Sequence, residues 1–83
     1  MYDDITHELI QKLQMSFPVT FPEKPRKKKA LKVDIIDELM PYVSRWGYTR
    51  DVLDNALKYW KLGKRYEKAL KLAEVDGMYY GVY

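Results

Sequence analysis

Eighty-three residues make one small domain and exclude a second; 47% apolar and 14% aromatic side chains suffice for a packed core, which excludes disorder despite 33% charged residues. The absence of cysteine excludes a disulfide framework, a thiolate metal site and a cysteine nucleophile. The net charge of +3 hides an uneven distribution: residues 1–23 carry one basic and four acidic side chains, residues 24–83 fourteen and eight. No apolar run approaches the roughly 20 residues of a membrane-spanning helix. The acidic start, Met1-Tyr2-Asp3-Asp4, lacks the basic region of a secretory signal, so the expected location is the cytoplasm.

In chain order, Ile5, Leu9, Ile10 and Leu13 recur at near-helical spacing and predict an amphipathic helix over residues 4–15. Phe17-Pro18 ends it, because the residue before proline is pushed out of the helical region. A basic, proline-containing loop follows at about 16–30, with Phe17, Val19 and Phe21 as its anchors. A second helix is expected from near Lys32 or Val33, with Val33, Ile36, Leu39, Met40 and Val43 on one face and Pro41 as a source of a kink. Trp46-Gly47-Tyr48 reads as a turn, and Thr49 as the N-cap of a third helix over roughly 50–61. Its apolar positions are Val52, Leu53, Ala56, Leu57 and Trp60. Gly63 breaks it, and residues 64–70 form a short fourth helix. Leu72, Val75 and Met78-Tyr79-Tyr80 then read as two short strands joined by an Asp76-Gly77 turn. The expected fold is mostly α: a compact domain of about four helices followed by a short C-terminal β-hairpin.

Catalytic chemistry finds little support. The lone histidine, His7, has no Ser or Cys at a motif spacing, and Asp34, Asp37 and Glu38 read as a solvated acidic face. Asp76-Gly77 lacks the other ligands of a calcium loop, and no phosphate-binding glycine loop is present. The chain is expected to be no enzyme and to need no cofactor or metal.

The basic residues carry more information. One cluster is Lys24, Arg26, Lys27, Lys28, Lys29 and Lys32; the other is Lys58, Lys61, Lys64, Arg65, Lys68 and Lys71, interrupted only by Glu67. Lys58, Lys61, Arg65 and Lys68 follow a 3-4-3 spacing that would align them on one side of a continuous helix, with Gly63 bending the line. Tyr59 and Tyr66 are interleaved, and cations with aromatics suit phosphate contacts plus base stacking. For Tyr59 a core role competes evenly with that one. Thr49 and Arg50 open a helix whose free N–H groups could hold a phosphate. A lysine run such as 27–29 also reads as a flexible, solvated segment.

These features together resemble the ProQ/FinO family of bacterial RNA-binding domains. Phe17-Pro18 follows the first helix, and a basic approach leads to Ala30-Leu31-Lys32-Val33-Asp34-Ile35, similar to the family's Pro-Leu-Lys-Ile-Gly-Ile signature. Leu53, Ala56, Leu57 and Trp60 match the third-helix frame, Arg65-Tyr66 the family's Arg-Tyr pair, and Val75-Asp76-Gly77 with Gly81 its hairpin. The resemblance implies a single RNA-binding domain over residues 1–83. Its concave basic face would grip structured RNA, typically a terminator hairpin with a single-stranded 3′ U-tail. By position, Lys32, Lys58, Arg65 and Tyr66 would face the tail and its junction with the stem, and Lys61 of the same basic cluster is a further expected RNA contact. Thr49 and Arg50 would hold duplex phosphates, and Lys71 lies near a family arginine. Arg26, Lys27, Lys28, Lys29, Lys64 and Lys68 would add basic contacts. Asp54 departs from the pattern, standing where related domains often carry arginine, four residues from both Arg50 and Lys58. The loop between Tyr66 and Asp76 is shorter than usual, and the chain stops at Tyr83 where many relatives continue, as a minimal or a truncated member would.

The expected function is thus that of a monomeric RNA chaperone protecting 3′ ends of small RNAs and mRNAs in post-transcriptional regulation, with no membrane or small-molecule partner. Two alternatives remain. A helix-turn-helix DNA-binding protein fits the two helices around Trp46-Gly47-Tyr48, although Asp51 and Asp54 put acids in the first turns of the recognition helix. A protein-interaction module would use Tyr79, Tyr80 and Tyr83 as an adhesive edge.

Overall fold

The computed structural model describes residues 3–24 and 28–82. Four helices follow one another: α1 (Asp4–Ser16), α2 (Ile35–Arg45), α3 (Arg50–Trp60) and α4 (Lys64–Asp76). Asp3 caps α1 by accepting the Thr6 N–H at 2.9 Å, and Thr49 caps α3 by accepting the Val52 N–H at 3.3 Å. Each cap satisfies one of the donors that a helix start leaves open.

The core forms where α3 packs on both α1 and α2. Leu9 and Leu13 of α1, Leu39 and Val43 of α2, and Leu53 and Leu57 of α3 are buried together; burying each such side chain contributes about 1.5–3 kcal/mol. Phe17 and Phe21 anchor the loop after α1, whereas Val19, also expected as an anchor, is exposed. Thr20 does that work instead: its buried hydroxyl donates to the Gly81 carbonyl at 2.7 Å. Ile5 lies on the exposed side of α1, and the buried Thr6 takes its place, accepting from Asn55 Nδ2 at 3.3 Å.

Two expectations about the backbone are corrected. The second helix starts at Ile35 rather than near Lys32 or Val33, because the backbone of Ala30 and Lys32 is engaged elsewhere. Tyr80 N–H donates to Ala30 O at 2.8 Å and Lys32 N–H donates to Tyr80 O at 2.9 Å, forming a parallel bridge between Leu31 and Tyr80. Val33 is therefore fully exposed instead of lining the core face. Pro41 sits inside α2 without ending it.

The second correction concerns the C-terminal β-hairpin, which is absent among the described residues. The fourth helix runs through Leu70, the expected end, to Asp76. Tyr66, Leu70 and Ala73 recur at helical spacing and turn one face inward, with Tyr66 and Ala73 buried and Leu70 half-buried. Gly77 stops the helix in the left-handed conformation (φ 73°), its N–H bonded to the Ala73 carbonyl at 2.6 Å. An Asp-Gly pair suits a tight hairpin turn and a glycine C-cap alike, and here the cap prevails. The chain beyond it turns back to residues 30–32 instead of to its own helix.

Candidate nucleic-acid interface

Folding back the C-terminal segment creates a groove. Leu31, Lys32, Val33 and Asp34 form one side, Tyr66 and Leu70 of α4 the other, with Lys61 and Tyr79 completing a cavity of about 650 Å³. A second depression of about 480 Å³ continues it past Lys61, Tyr66 and Leu70 to Lys64 and Glu67. The walls are largely apolar and aromatic, with Lys32 and Lys61 as the cations.

Hydrogen bonds hold the walls in place. Tyr66, only 7% exposed, sets its ring in the core, and its hydroxyl accepts the Leu31 N–H at 3.1 Å. This places its ring as a wall rather than as the exposed stacking platform expected of an Arg-Tyr pair. Tyr79, 38% exposed at the groove, presents the more accessible ring. Lys32 Nζ lies 2.9 Å from Glu38 Oε2 and 4.0 Å from Asp34 Oδ1. Glu38 Oε1 in turn accepts the Val82 N–H at 3.1 Å. The Lys32 hydrogen bond, then that of Val82, holds the Glu38 carboxyl below its ordinary pKa. Gly81 packs closely against this pair: a Cβ there would come 2.6 Å from Glu38 Oε1 and 2.8 Å from Lys32 Cδ, so a larger residue would have to push these side chains aside. Lys32 is therefore both a groove cation and an anchor of the C-terminal segment.

Gly63 (φ 96°) breaks the chain between α3 and α4 and redirects the second cluster, so Lys58, Lys61, Arg65 and Lys68 do not share one helix face. Lys61 closes α3 and lines the groove. Arg65 belongs to a different row of α4, with Ala69, Leu72 and Asp76 four, seven and eleven residues on. Those three residues line a separate cavity of about 120 Å³ together with Lys28, Lys29 and Tyr80. Arg65 is close enough to help depress the Lys28 pKa, although burial is the larger cause. Lys28 is committed to the fold: its ammonium donates to the Trp60 carbonyl at 2.7 Å, capping the end of α3, and lies 4.5 Å from the centre of the Trp60 ring. Lys29 lies 5.6 Å from the Tyr80 ring centre. Lys64, Lys68 and Lys71 are exposed on α4, and Tyr59 is half-exposed on α3.

On α3, two nominated cations face carboxylates. Arg50 Nη1 lies 3.3 Å from Asp37 Oδ1, and Lys58 Nζ lies 3.2 Å from Asp54 Oδ2. Arg26 and Lys27, nominated as additional contacts, and Tyr83 fall outside the described residues.

Lys32 is a nominated residue that the structure places in the groove; Leu31, Val33, Asp34, Leu70 and Tyr79 as groove lining escape sequence reasoning. Their only sequence signal is the apolar Leu31-Lys32-Val33 stretch, and nothing local joins it to Tyr79. Among the described residues no helix is long and apolar enough to cross a membrane, and no three His, Asp or Glu side chains gather as a metal site.

No curated protein and no solved structure matches the chain. A family model does: ProQ/FINO matches residues 4–75, from the first residue of α1 almost to the end of α4. The four helices, the Leu31-Lys32 wall and the Arg65-Tyr66 pair all lie within or at the margin of that match, and the chain belongs to the ProQ/FINO family, a family of RNA-binding and not enzymatic proteins.

Proposed function

We propose that the chain acts as a single RNA-binding unit that recognises a structured RNA end: the terminator hairpin and single-stranded 3′ U-tail of small RNAs and mRNAs. The observation that carries this reading is the groove between residues 31–34 and α4, which combines apolar and aromatic walls with Lys32 and Lys61. An unstacked base needs a flat apolar surface and its phosphate needs a cation, and the groove offers both within one opening. The A-form major groove is too deep and narrow for side chains, so recognition reads the end, the phosphates and the shape of the RNA more than its sequence. In this reading Lys61 and Lys32 hold tail phosphates, Tyr66 and Tyr79 border the terminal base, and Lys58, Thr49 and Arg50 lie along the stem. Lys64, Arg65, Lys68 and Lys71, with Lys29, add charge around the site. Covering the 3′ end would shield it from exonucleases, and neutralising phosphates would favour pairing between two RNAs. This is the work of a monomeric cytoplasmic RNA chaperone in post-transcriptional regulation.

A competition titration tests the reading against a DNA-binding one. A terminator hairpin with its U-tail should displace same-length duplex DNA with at least about tenfold preference, a difference of about 1.4 kcal/mol. With about five phosphates neutralised, log K should fall against log salt with a slope near −3.5 to −4.5. A preference for duplex DNA, or a slope near zero, contradicts the proposal.

A further inference from the structure

Arg50, Asp54, Lys58 and Lys61 are spaced four, four and three residues apart, which places them in one line along α3 and its C-terminal cap. At 1.5 Å per residue the line is roughly 16 Å long, and it ends at Lys61 in the groove. An RNA stem leaving the groove along α3 passes Lys58, then Asp54, then Arg50. The sequence of charges is thus cation, cation, anion, cation, with the anion one helical turn from a cation on either side.

Asp54 already engages Lys58 at 3.2 Å, with 45% of its own side chain exposed to the solvent an RNA would occupy. Arg50, at the far end, is engaged by Asp37 of α2 at 3.3 Å. Lys61, Lys64, Arg65, Lys68 and Lys71 differ: among the described residues none of them has a carboxylate within 4.0 Å. At the groove Lys32 is held by Glu38 and Asp34 but Lys61 is electrostatically open, as are the α4 cations, whereas both α3 cations, Lys58 and Arg50, are engaged by carboxylates.

We propose that Asp54 is a selectivity residue: it penalises duplex phosphates along α3 and so biases the protein toward the single-stranded segment held in the groove. A phosphate drawn to Lys58 must displace the Asp54 carboxylate and then remain beside it. The repulsion acts within the Debye length of about 8 Å at physiological salt, so it reaches phosphates at Lys58 and at Arg50. It fades toward Lys61, two turns away. The inference rests on the groove reading above, and its test separates the two.

Asp54→Asn removes the charge, and Asp54→Glu keeps it while changing the side chain. Both are compared with the unaltered protein on a blunt hairpin without a tail and on a single-stranded oligouridine, at several salt concentrations. Asp54→Asn should tighten blunt-hairpin binding about five- to tenfold and steepen its salt slope by about 0.7–0.9, the increment of one added phosphate. Oligouridine affinity should stay within about twofold, since its contacts lie beyond screening range. Asp54→Glu should behave as the unaltered protein, with equal thermal midpoints confirming that all three are folded. Equal tightening of both RNAs, no tightening of either, or a Glu variant that behaves like the Asn variant overturns the proposal. If the unaltered protein binds oligouridine and hairpin while Asp54→Asn changes neither, only the selectivity role falls. If the unaltered protein binds neither RNA, the groove reading falls and the inference with it.

Discussion

The groove wall and the outward side of α4 carry the same kinds of residue and use them in opposite ways. In the wall three polar groups are committed to the fold: Tyr66 to the Leu31 N–H, Lys32 to Glu38, and Glu38 to the Val82 N–H. On α4, Lys64, Arg65, Lys68 and Lys71 are exposed, and among the described residues no carboxylate lies within 4.0 Å of them. Shape therefore comes from residues that cannot change without cost to stability, while charge comes from residues that the fold does not need. Adjacent positions show the contrast most directly, for Tyr66 is a core residue and Arg65 a surface one.

Substituting these neighbours is the strongest way to break the comparison. Tyr66→Ala removes a buried ring and leaves the Leu31 N–H unpaired, so it should destabilise the chain by about 3–5 kcal/mol. Arg65→Ala should leave stability within about 0.5 kcal/mol while still weakening RNA binding. Urea unfolding measures the first quantity and a binding titration the second. If both variants unfold alike, the division between wall and charged face is wrong.

A smaller effect sharpens the comparison through pH. Glu38 has its pKa lowered in the folded chain, first by the Lys32 hydrogen bond and then by that of the Val82 N–H. A depressed carboxyl contributes stability above its unfolded pKa and loses it as pH falls through the folded one. The bridge between residues 30–32 and Tyr80 should thus loosen below the ordinary carboxylate range, seen as faster amide exchange at Lys32 and Val82. Glu38→Gln should remove that acid dependence. An unchanged pH profile in Glu38→Gln would show that the C-terminal segment is held by other contacts.

How much of this was legible in the sequence depends on the range of the interaction. The first and third helices could be read almost to the residue, because their apolar period is local and Thr49 and Phe17-Pro18 mark their limits. The fourth helix was cut short because Asp76-Gly77 has two physical meanings, and only the burial of Tyr66, Leu70 and Ala73 on one face decides between them. The start of α2 was misplaced for a different reason: Lys32 is taken by Tyr80, a pairing across 48 residues that no local pattern encodes. The same long-range pairing builds the groove. Its cations, Lys32 and Lys61, are therefore legible as residues but not as neighbours, and the sequence pattern of Tyr79 suggests an edge, not a lining residue. The 3-4 spacing that aligns Arg65 with Lys61 spans Gly63, where the chain leaves the helix, so it does not set a common face.

The central claim, that the groove holds a single-stranded 3′ end, is tested most directly with one terminator hairpin bearing its U-tail intact, deleted, or 3′-phosphorylated. Stacking is worth about 1–3 kcal/mol per base, so deleting the tail should cost at least about tenfold in affinity, with a smaller loss for the added 3′-phosphate beside the Asp34-lined wall. Equal affinity for all three RNAs would contradict the account.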